Sequence, residues 1–209
     1  MTTYLVPAGY GSGEYEEKRS RFIGQIWPVE TEAEALAHIA AVKKEHYDAR
    51  HTCFAYVVRE GGVVRYGDDG EPQGTAGQPI LAVLNGTELQ NVCCTVTRYF
   101  GGVLLGTGGL VRAYTAAAKA AVEDAGISRM ALWQSVTLRC PYKLFDRVKR
   151  LLKEQEAITE SVDYGADITV FALVREDRRE RFAAALTELS AGSVSAEITG
   201  EQFRGVPLG

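Results

Sequence analysis

The chain has 209 residues, of which 46% are hydrophobic and 24% are charged, and its formal net charge is −4. This composition is typical of a globular protein with one large or two small domains, and its overall charge argues against a protein that coats nucleic acid by charge alone. An apolar run of membrane-spanning length and a signal-peptide pattern are both absent from the sequence, so we expect no membrane partner and a cytoplasmic location.

The first 128 residues alternate between strand and helix patterns. Residues 1–19 combine scattered glycines with glutamates and are predicted to be irregular. A capping box, Thr31 with Glu34, begins the first helix, and Gly126 ends the last one. The predicted elements are strand 20–29, helix 31–47, strands 52–59 and 63–66 joined at Gly61-Gly62, helix 76–84, strand 92–99 and helix 110–125.

The order of elements changes after residue 130. The predicted elements are strand 131–140, helix 142–155, strands 157–164 and 167–175, helix 176–190 and strand 193–202. This β-α-β-β-α-β order is the ferredoxin-like split motif. We therefore predict an α+β protein with two domains, 1–128 and 129–209, of which the first is an α/β sandwich.

A glycine-rich segment, residues 98–112, lies between an apolar strand and an Ala-rich helix. Its glycines let backbone N–H groups approach a ligand closely, and the helix start offers unpaired amides to an anion. The candidate residues for binding phosphate, RNA or an acidic partner are Arg50, His51, Arg98, Tyr99, Gly101, Gly102, Gly106, Thr107, Gly108, Gly109 and Arg112. Alternatively, the glycines serve only a sharp turn and close helix packing. The spacing fits neither a dinucleotide fingerprint nor a Walker loop.

A second unusual loop, residues 67–77, is rich in Gly, Pro and Asp. Its candidate residues are Asp68, Asp69, Glu71, Thr75 and Gly77. Three carboxylates within four residues can bind a divalent cation or act as acid and base. We favour a structural role, in which they stabilise the following helix N-terminus or pair with Arg50, Arg98 or Arg112.

The cysteines show no metal-binding spacing, and Cys93 and Cys94 are expected on opposite faces of one strand. Because Cys53 lies between Thr52 and Phe54 in a strand, we interpret it as a core thiol and not as half of a Cys–His dyad with His51. We nominate no metal ligand and no catalytic residue.

Two helices of the second domain carry basic residues. The candidates are Lys143, Arg147 and Arg150 on the first helix, and Arg178 and Arg181 on the second. Such stripes are commonly solvated faces, but they also fit RNA backbone or an acidic protein surface. Aromatic residues in the RNA-recognition pattern are missing from the strands, which argues against sequence-specific base reading.

Four motifs, in this order and spacing, resemble the IMPACT/YigZ family, and the resemblance extends over essentially the whole chain. They are RSRFI at 19–23, DARH at 48–51, DDGEPQGTAG at 68–77 and TRYFGG with LGTGGLVRAY within 97–114. The resemblance implies that the first domain shares the α/β fold of a ribosomal-protein domain, domain IV of elongation factor G and GHMP kinases. It implies that the second resembles the last domain of elongation factor G.

The resemblance also bears on function. The eukaryotic member regulates translation by binding a large partner that activates a starvation-responsive kinase, whereas the bacterial members have no agreed activity. Our leading hypothesis is a non-enzymatic, translation-associated regulatory protein that binds RNA, the ribosome or a translation factor and needs no cofactor. The alternative is a small-molecule enzyme that binds a phosphorylated or nucleotide ligand at the glycine-rich loop, with Mg²⁺ on Asp68 or Asp69.

Overall fold

The computed structural model describes residues 3–207, and the side chains of residues 3–205. These residues group into two compact units, Tyr4–Arg129 and Met130–Gly205, apart from a few residues at the ends. Each unit combines an antiparallel sheet with helices, so the predicted α+β class with two domains is confirmed. None of the described helices is both long and apolar enough to cross a bilayer.

The N-terminal unit is built on a five-stranded sheet in which every neighbouring pair is antiparallel. The chain begins with a short strand, β1 (Thr3–Pro7), outside this sheet. The sheet strands are β2 (Gly11–Glu17), β3 (Ser20–Pro28), β4 (His51–Val58), β5 (Val63–Gly67) and β6 (Val92–Tyr99), in the order β2-β3-β6-β4-β5. The helices are α1 (Glu32–Glu45), α2 (Gly77–Gly86) and α3 (Gly106–Ala125).

The two faces of this sheet are covered by different helices. Helices α2 and α3 pack on one face over the main core, which includes Phe22, Cys94 and Tyr114. Helix α1 packs on the other face over a smaller cluster that includes Cys93. The two adjacent cysteines therefore point in opposite directions, as the strand period predicts.

The predicted irregular lead-in at residues 1–19 was wrong, because it contains strands β1 and β2. Two of the glycines that argued against regular structure, Gly11 and Gly13, lie where α3 crosses the sheet. A Cβ on Gly11 would stand 2.5 Å from the Ala121 carbonyl oxygen, and one on Gly24 would stand 2.3 Å from that of Ala117. These positions are glycine because the helix backbone rests directly on the strands.

Helix α3 begins at Gly106, four residues before its predicted start at residue 110. Glycine disfavours helix in isolation. Here Gly109 is buried, and a Cβ on it would stand 2.9 Å from the Cβ of Leu105. Gly106, Gly108 and Gly109 of the glycine-rich segment therefore form the first turn of the helix itself, whereas Gly101 and Gly102 precede it.

The C-terminal unit has the ferredoxin-like arrangement. Its elements are β7 (Ile127–Cys140), α4 (Tyr142–Glu154), β8 (Ile158–Tyr164), β9 (Ile168–Arg175), α5 (Arg179–Ser190) and β10 (Ala196–Pro207). The strands follow the order β10-β7-β9-β8. One core, with Leu138, Leu152 and Phe182 among its members, lies between the sheet and both helices.

Three boundaries in this unit differ clearly from prediction. Strand β7 begins at Ile127 and not at residue 131. Residues 176–178 form a 3₁₀ turn ahead of α5, and the last strand is Ala196–Pro207 and not 193–202. The Ser190 hydroxyl accepts from the Val194 amide at 3.2 Å, and Ala191 and Gly192 have positive φ. These residues form the turn that follows α5, so the strand starts later.

Candidate functional site

A pocket of about 390 Å³ opens in the N-terminal unit where both sequence-predicted loops meet. Antiparallel pairing places His51, at the start of β4, opposite Arg98, near the end of β6. The loop of residues 67–77, called the acidic loop below, and the first turn of α3 complete the walls. The lining residues are Arg50, His51, Glu71, Pro72, Arg98, Phe100, Leu104, Leu105, Gly106, Thr107 and Leu110.

A buried ion pair joins the two loops. The Arg98 guanidinium donates through Nη1 to Glu71 Oε1 at 2.6 Å, and the two side chains are 6% and 3% exposed. The Tyr114 hydroxyl donates to the same carboxylate oxygen at 3.0 Å. Arg98 Nε is also buried, yet it has no acceptor among the described residues. The guanidinium therefore retains hydrogen-bonding capacity that the protein does not use.

The other two carboxylates of the acidic loop have structural partners. Asp68 accepts from the backbone N–H groups of Gly74, Ala76 and Gly77 at 2.8 to 3.1 Å, and thereby caps α2. Asp69 pairs with Lys43 of α1 at 2.5 Å and accepts from the Thr52 amide at 2.7 Å. The favoured sequence interpretation, a helix cap and an arginine pair, is confirmed for Asp68 and Glu71.

Thr75 and Gly77 shape this loop and do not line the pocket. The Thr75 hydroxyl donates to the Pro72 carbonyl oxygen at 2.6 Å. A Cβ on Gly77 would lie 2.8 to 2.9 Å from the backbone of Gly67, so only glycine lets the loop return this close to β5.

Arg50 and His51 lie at the mouth of the pocket. Arg50 is exposed, and its guanidinium carbon is 5.9 Å from the Phe100 ring centroid; that of Arg98 is 5.4 Å from the same centroid. His51 Nδ1 lies 2.6 Å from the Asp69 carbonyl oxygen, which can only accept, so Nδ1 carries the proton. No hydrogen bond joins its other ring nitrogen to another of the described residues.

The first turn of α3 forms the remaining polar wall. Gly106 and Thr107 line the pocket, both are exposed, and no side chain caps the helix. Gly106 has φ of +71°, which glycine adopts without strain. The unpaired amides and the positive end of the helix dipole both favour an anion here.

Several predicted site residues are not brought into the pocket. Arg112 is exposed on α3 outside the lining residues, close to Gly108. Tyr99 points to the opposite face of the sheet, where its hydroxyl donates to Asp48 at 3.1 Å. Gly101 packs on the Arg19 backbone, with a hypothetical Cβ 2.1 Å from its carbonyl carbon.

Gly102 and Gly109 also lie outside the lining residues. Gly102 is exposed with φ of +84°, and the buried Gly109 forms part of the first turn of α3. Arg112 therefore lies outside the pocket that Arg50, His51 and Arg98 line. On a helix, residues 112 and 110 are about 200° apart, and Leu110 faces the pocket.

Sequence reasoning missed the apolar wall of the pocket. Phe100 and Leu104 are 41% and 82% exposed, although both are large hydrophobic residues. The available signal was the apolar character of residues 103–105 within a glycine-rich loop. This apolar character is ambiguous, because local sequence does not distinguish a ligand-facing leucine from one that packs in a core.

A buried thiol and phenol lie beneath the ion pair. Cys53 Sγ is 3.4 Å from the Tyr114 hydroxyl, and burial raises the pKa of Cys53 to about 12. Burial likewise raises the pKa of Tyr114 far above its usual value. Both groups stay protonated at neutral pH, which confirms Cys53 as a core thiol.

The basic residues of the C-terminal unit differ in their surroundings. Lys143, Arg147 and Arg150 are exposed along α4. Arg178 is partly buried, donates to the Gln155 carbonyl oxygen and pairs with Glu156 at 3.1 Å. Arg181 is exposed on α5.

Fold and site together define a class of two-unit α+β proteins with a basic pocket at a glycine-rich helix start. Comparison with known families assigns residues 18–122 to the Impact N-terminal domain and residues 138–193 to a domain of unknown function, DUF1949. The chain belongs to the IMPACT family.

Full-length relatives support this assignment. The IMPACT family member YigZ of Escherichia coli is 34% identical over 197 residues, which covers 93% of this chain and 97% of that protein. YvyE of Bacillus subtilis is 35% identical over 92% of this chain and 89% of that protein. A crystal structure described as a hypothetical protein superimposes with a TM-score of 0.61, at 33% identity, over 96% of this chain and 98% of that chain.

Proposed function

We propose that this chain is a non-enzymatic, translation-associated regulatory protein that acts in the cytoplasm by binding RNA on the ribosome. The pocket in the N-terminal unit makes the specific contact, and the basic face of α4 adds a nonspecific one. Family membership supports the association with translation. A relative from Dictyostelium discoideum named as an IMPACT homolog is 35% identical over 107 residues, 48% of this chain and 30% of that protein.

One observation carries the proposal: Arg98, whose buried Nε has no acceptor among the described residues, lines a pocket together with Arg50 and the uncapped start of α3. A buried guanidinium is ordinarily fully hydrogen-bonded, because leaving its donors unsatisfied costs free energy. Helix amides, a dipole end and two guanidinium groups together form an environment that favours phosphate.

The basic residues of α4 fit a supporting role. Lys143, Arg147 and Arg150 are exposed and are spaced to share one side of the helix. Contacts of such residues with a phosphate backbone are salt-dependent and carry no sequence information.

The hypothesis of a phosphate-handling enzyme receives less support from the geometry. It needs Asp68 or Asp69 to hold Mg²⁺, but Asp68 accepts from three helix-start amides and Asp69 pairs with Lys43. A thermal shift with a nucleotide that appears only when Mg²⁺ is present would support the enzyme hypothesis.

Ribosome co-sedimentation at low and moderate salt tests the proposal. Arg50→Gln removes a charge at the pocket, and Arg112→Gln removes the same charge from an exposed position outside it. We expect at least a fivefold loss of bound protein for Arg50→Gln and little change for Arg112→Gln. If the two variants lost the same amount of ribosome-bound protein, the role of the pocket would be contradicted.

The same experiment after RNase treatment identifies the kind of partner. If the protein binds ribosomal RNA, digestion releases it. Retention on a protein component after digestion, still dependent on Arg50, would overturn RNA as the partner in favour of an acidic surface on a translation factor.

A further inference from the structure

The pocket lining combines two kinds of residue. Its polar members are Arg50, His51, Glu71, Arg98 and the start of α3, and its apolar members are Pro72, Phe100, Leu104, Leu105 and Leu110. A phosphate alone would contact the polar members and leave the apolar ones exposed to water. At about 390 Å³ the pocket lies within the size range of small-molecule sites. Its occupant therefore combines an anionic group with an apolar one.

The charged groups of the pocket lining favour a singly or doubly charged anion. Arg98 is neutralised in part by Glu71, which accepts from Nη1 at 2.6 Å. Arg50 has an exposed side chain and adds a second positive charge. The uncapped first turn of α3 adds backbone donors next to these side chains.

The apolar part of the lining includes an exposed aromatic ring. Phe100 is 41% exposed and is flanked by the guanidinium groups of Arg50 and Arg98 at 5.9 and 5.4 Å from its centroid. Leu104 next to it is 82% exposed. Exposed aromatic rings beside arginines are the usual surfaces on which proteins stack unpaired bases.

We infer that this pocket binds one unpaired nucleotide, with its phosphate at the start of α3 between Arg50 and Arg98 and its base against Phe100 and Leu104. The inference rests on the proposed function, since it names the part of the RNA that the pocket recognises. The same chemistry is present in a free mononucleotide and in an unpaired nucleotide of an RNA strand. The base is held mainly by stacking, which tolerates different bases.

Equilibrium binding to the full chain, measured without Mg²⁺, distinguishes a free mononucleotide from an unpaired nucleotide of an RNA strand as the ligand. The probes are inorganic phosphate, AMP, a single-stranded RNA octamer and a blunt RNA duplex of the same sequence. We expect AMP to bind at least fivefold more tightly than phosphate, because stacking adds to the phosphate contact. We expect the single strand to bind at least tenfold more tightly than the duplex, whose bases are already stacked.

Three variants test the aromatic contact. Phe100→Ala should weaken binding of AMP and of the single strand at least fivefold, whereas Phe100→Tyr retains the ring and should preserve it. Tyr47→Ala removes another aromatic residue, 85% exposed in the same unit, and should bind as the original chain does. Thermal unfolding of each variant confirms that it is folded.

Equal affinity for phosphate and AMP, equal affinity for single strand and duplex, or undiminished binding by Phe100→Ala would each overturn the inference. Preference for AMP over the octamer would identify a free nucleotide as the ligand. If no nucleotide binds but ribosome co-sedimentation still depends on Arg50, this inference fails and the proposed function stands. If AMP binds but the ribosome does not, the proposed function fails instead.

Discussion

Arg98 Nη1 and Glu71 Oε1 lie 2.6 Å apart, on side chains that are 94% and 97% buried, and 27 residues separate them in the chain. This pair attaches the acidic loop to the end of β6 and forms the floor of the pocket. Unfolding of the N-terminal unit is measured by urea titration, with Trp27 fluorescence as the probe in a Trp133→Phe background.

We predict that removing one member of the ion pair lowers the free energy of unfolding strongly, whereas replacing both members together lowers it little. Arg98→Met leaves the Glu71 carboxylate buried without its cation, and should lower the free energy of unfolding by about 3–5 kcal/mol. Glu71→Gln in the same chain restores neutrality and keeps an acceptor for Tyr114. The double variant should therefore regain most of this loss. If it is no more stable than Arg98→Met, the cost does not come from an unpaired charge.

Tyr114→Phe removes one hydroxyl from beneath the pocket. That hydroxyl donates to Glu71 at 3.0 Å and lies 3.4 Å from Cys53 Sγ. We expect the free energy of unfolding to fall by about 1–3 kcal/mol, because Glu71 loses a buried donor. Tyr15→Phe is the control, since its hydroxyl bonds only to the partly exposed Glu17 at 3.2 Å, and should change stability far less.

Gly24→Ala tests the close contact between α3 and the sheet. A Cβ at this position would lie 2.3 Å from the Ala117 carbonyl oxygen, so the helix must move away. Overpacking of this kind costs about 1–3 kcal/mol, measured as loss of unfolding free energy. Gly9→Ala adds the same methyl group where no atom lies within 4 Å, and should leave stability nearly unchanged.

The buried thiols predict a loss of stability in alkali. Burial raises the pKa of Cys53 and Cys93 to about 12 from an ordinary value of 9.0. Between these values the unfolded chain has released its thiol protons and the folded chain has not. The unfolding free energy therefore falls as pH rises from about 9 toward 12 and is unaffected by these groups below 9.

Thiol labelling checks the same point directly. At pH 8 the native protein should react far more slowly with a thiol reagent than the urea-unfolded chain, in which all four cysteines are exposed. Cys93→Ala should reduce the alkaline loss of stability. An unchanged slope of stability against pH in that variant would contradict the assignment.

Local patterns were sufficient to predict most elements. The capping box is an example: Thr31 accepts from the Glu34 amide at 3.2 Å, and α1 begins at Glu32. The β-α-β-β-α-β order likewise predicted the ferredoxin-like unit. Such patterns succeed because hydrophobic period and cap residues act within a few residues of one another.

The sequence by itself therefore determined the α+β class, the order of most elements and the two loops that carry the candidate site. Tertiary structure decided that β2 is a strand, because the glycines that weaken its local pattern are required where α3 rests on the sheet. It also decided which arginines meet. Arg50 and Arg98 adjoin because β4 pairs with β6. Both arginines line the pocket together with Glu71, whereas Arg112 lies outside it. Such relationships depend on register and on packing between distant segments, which no local pattern contains.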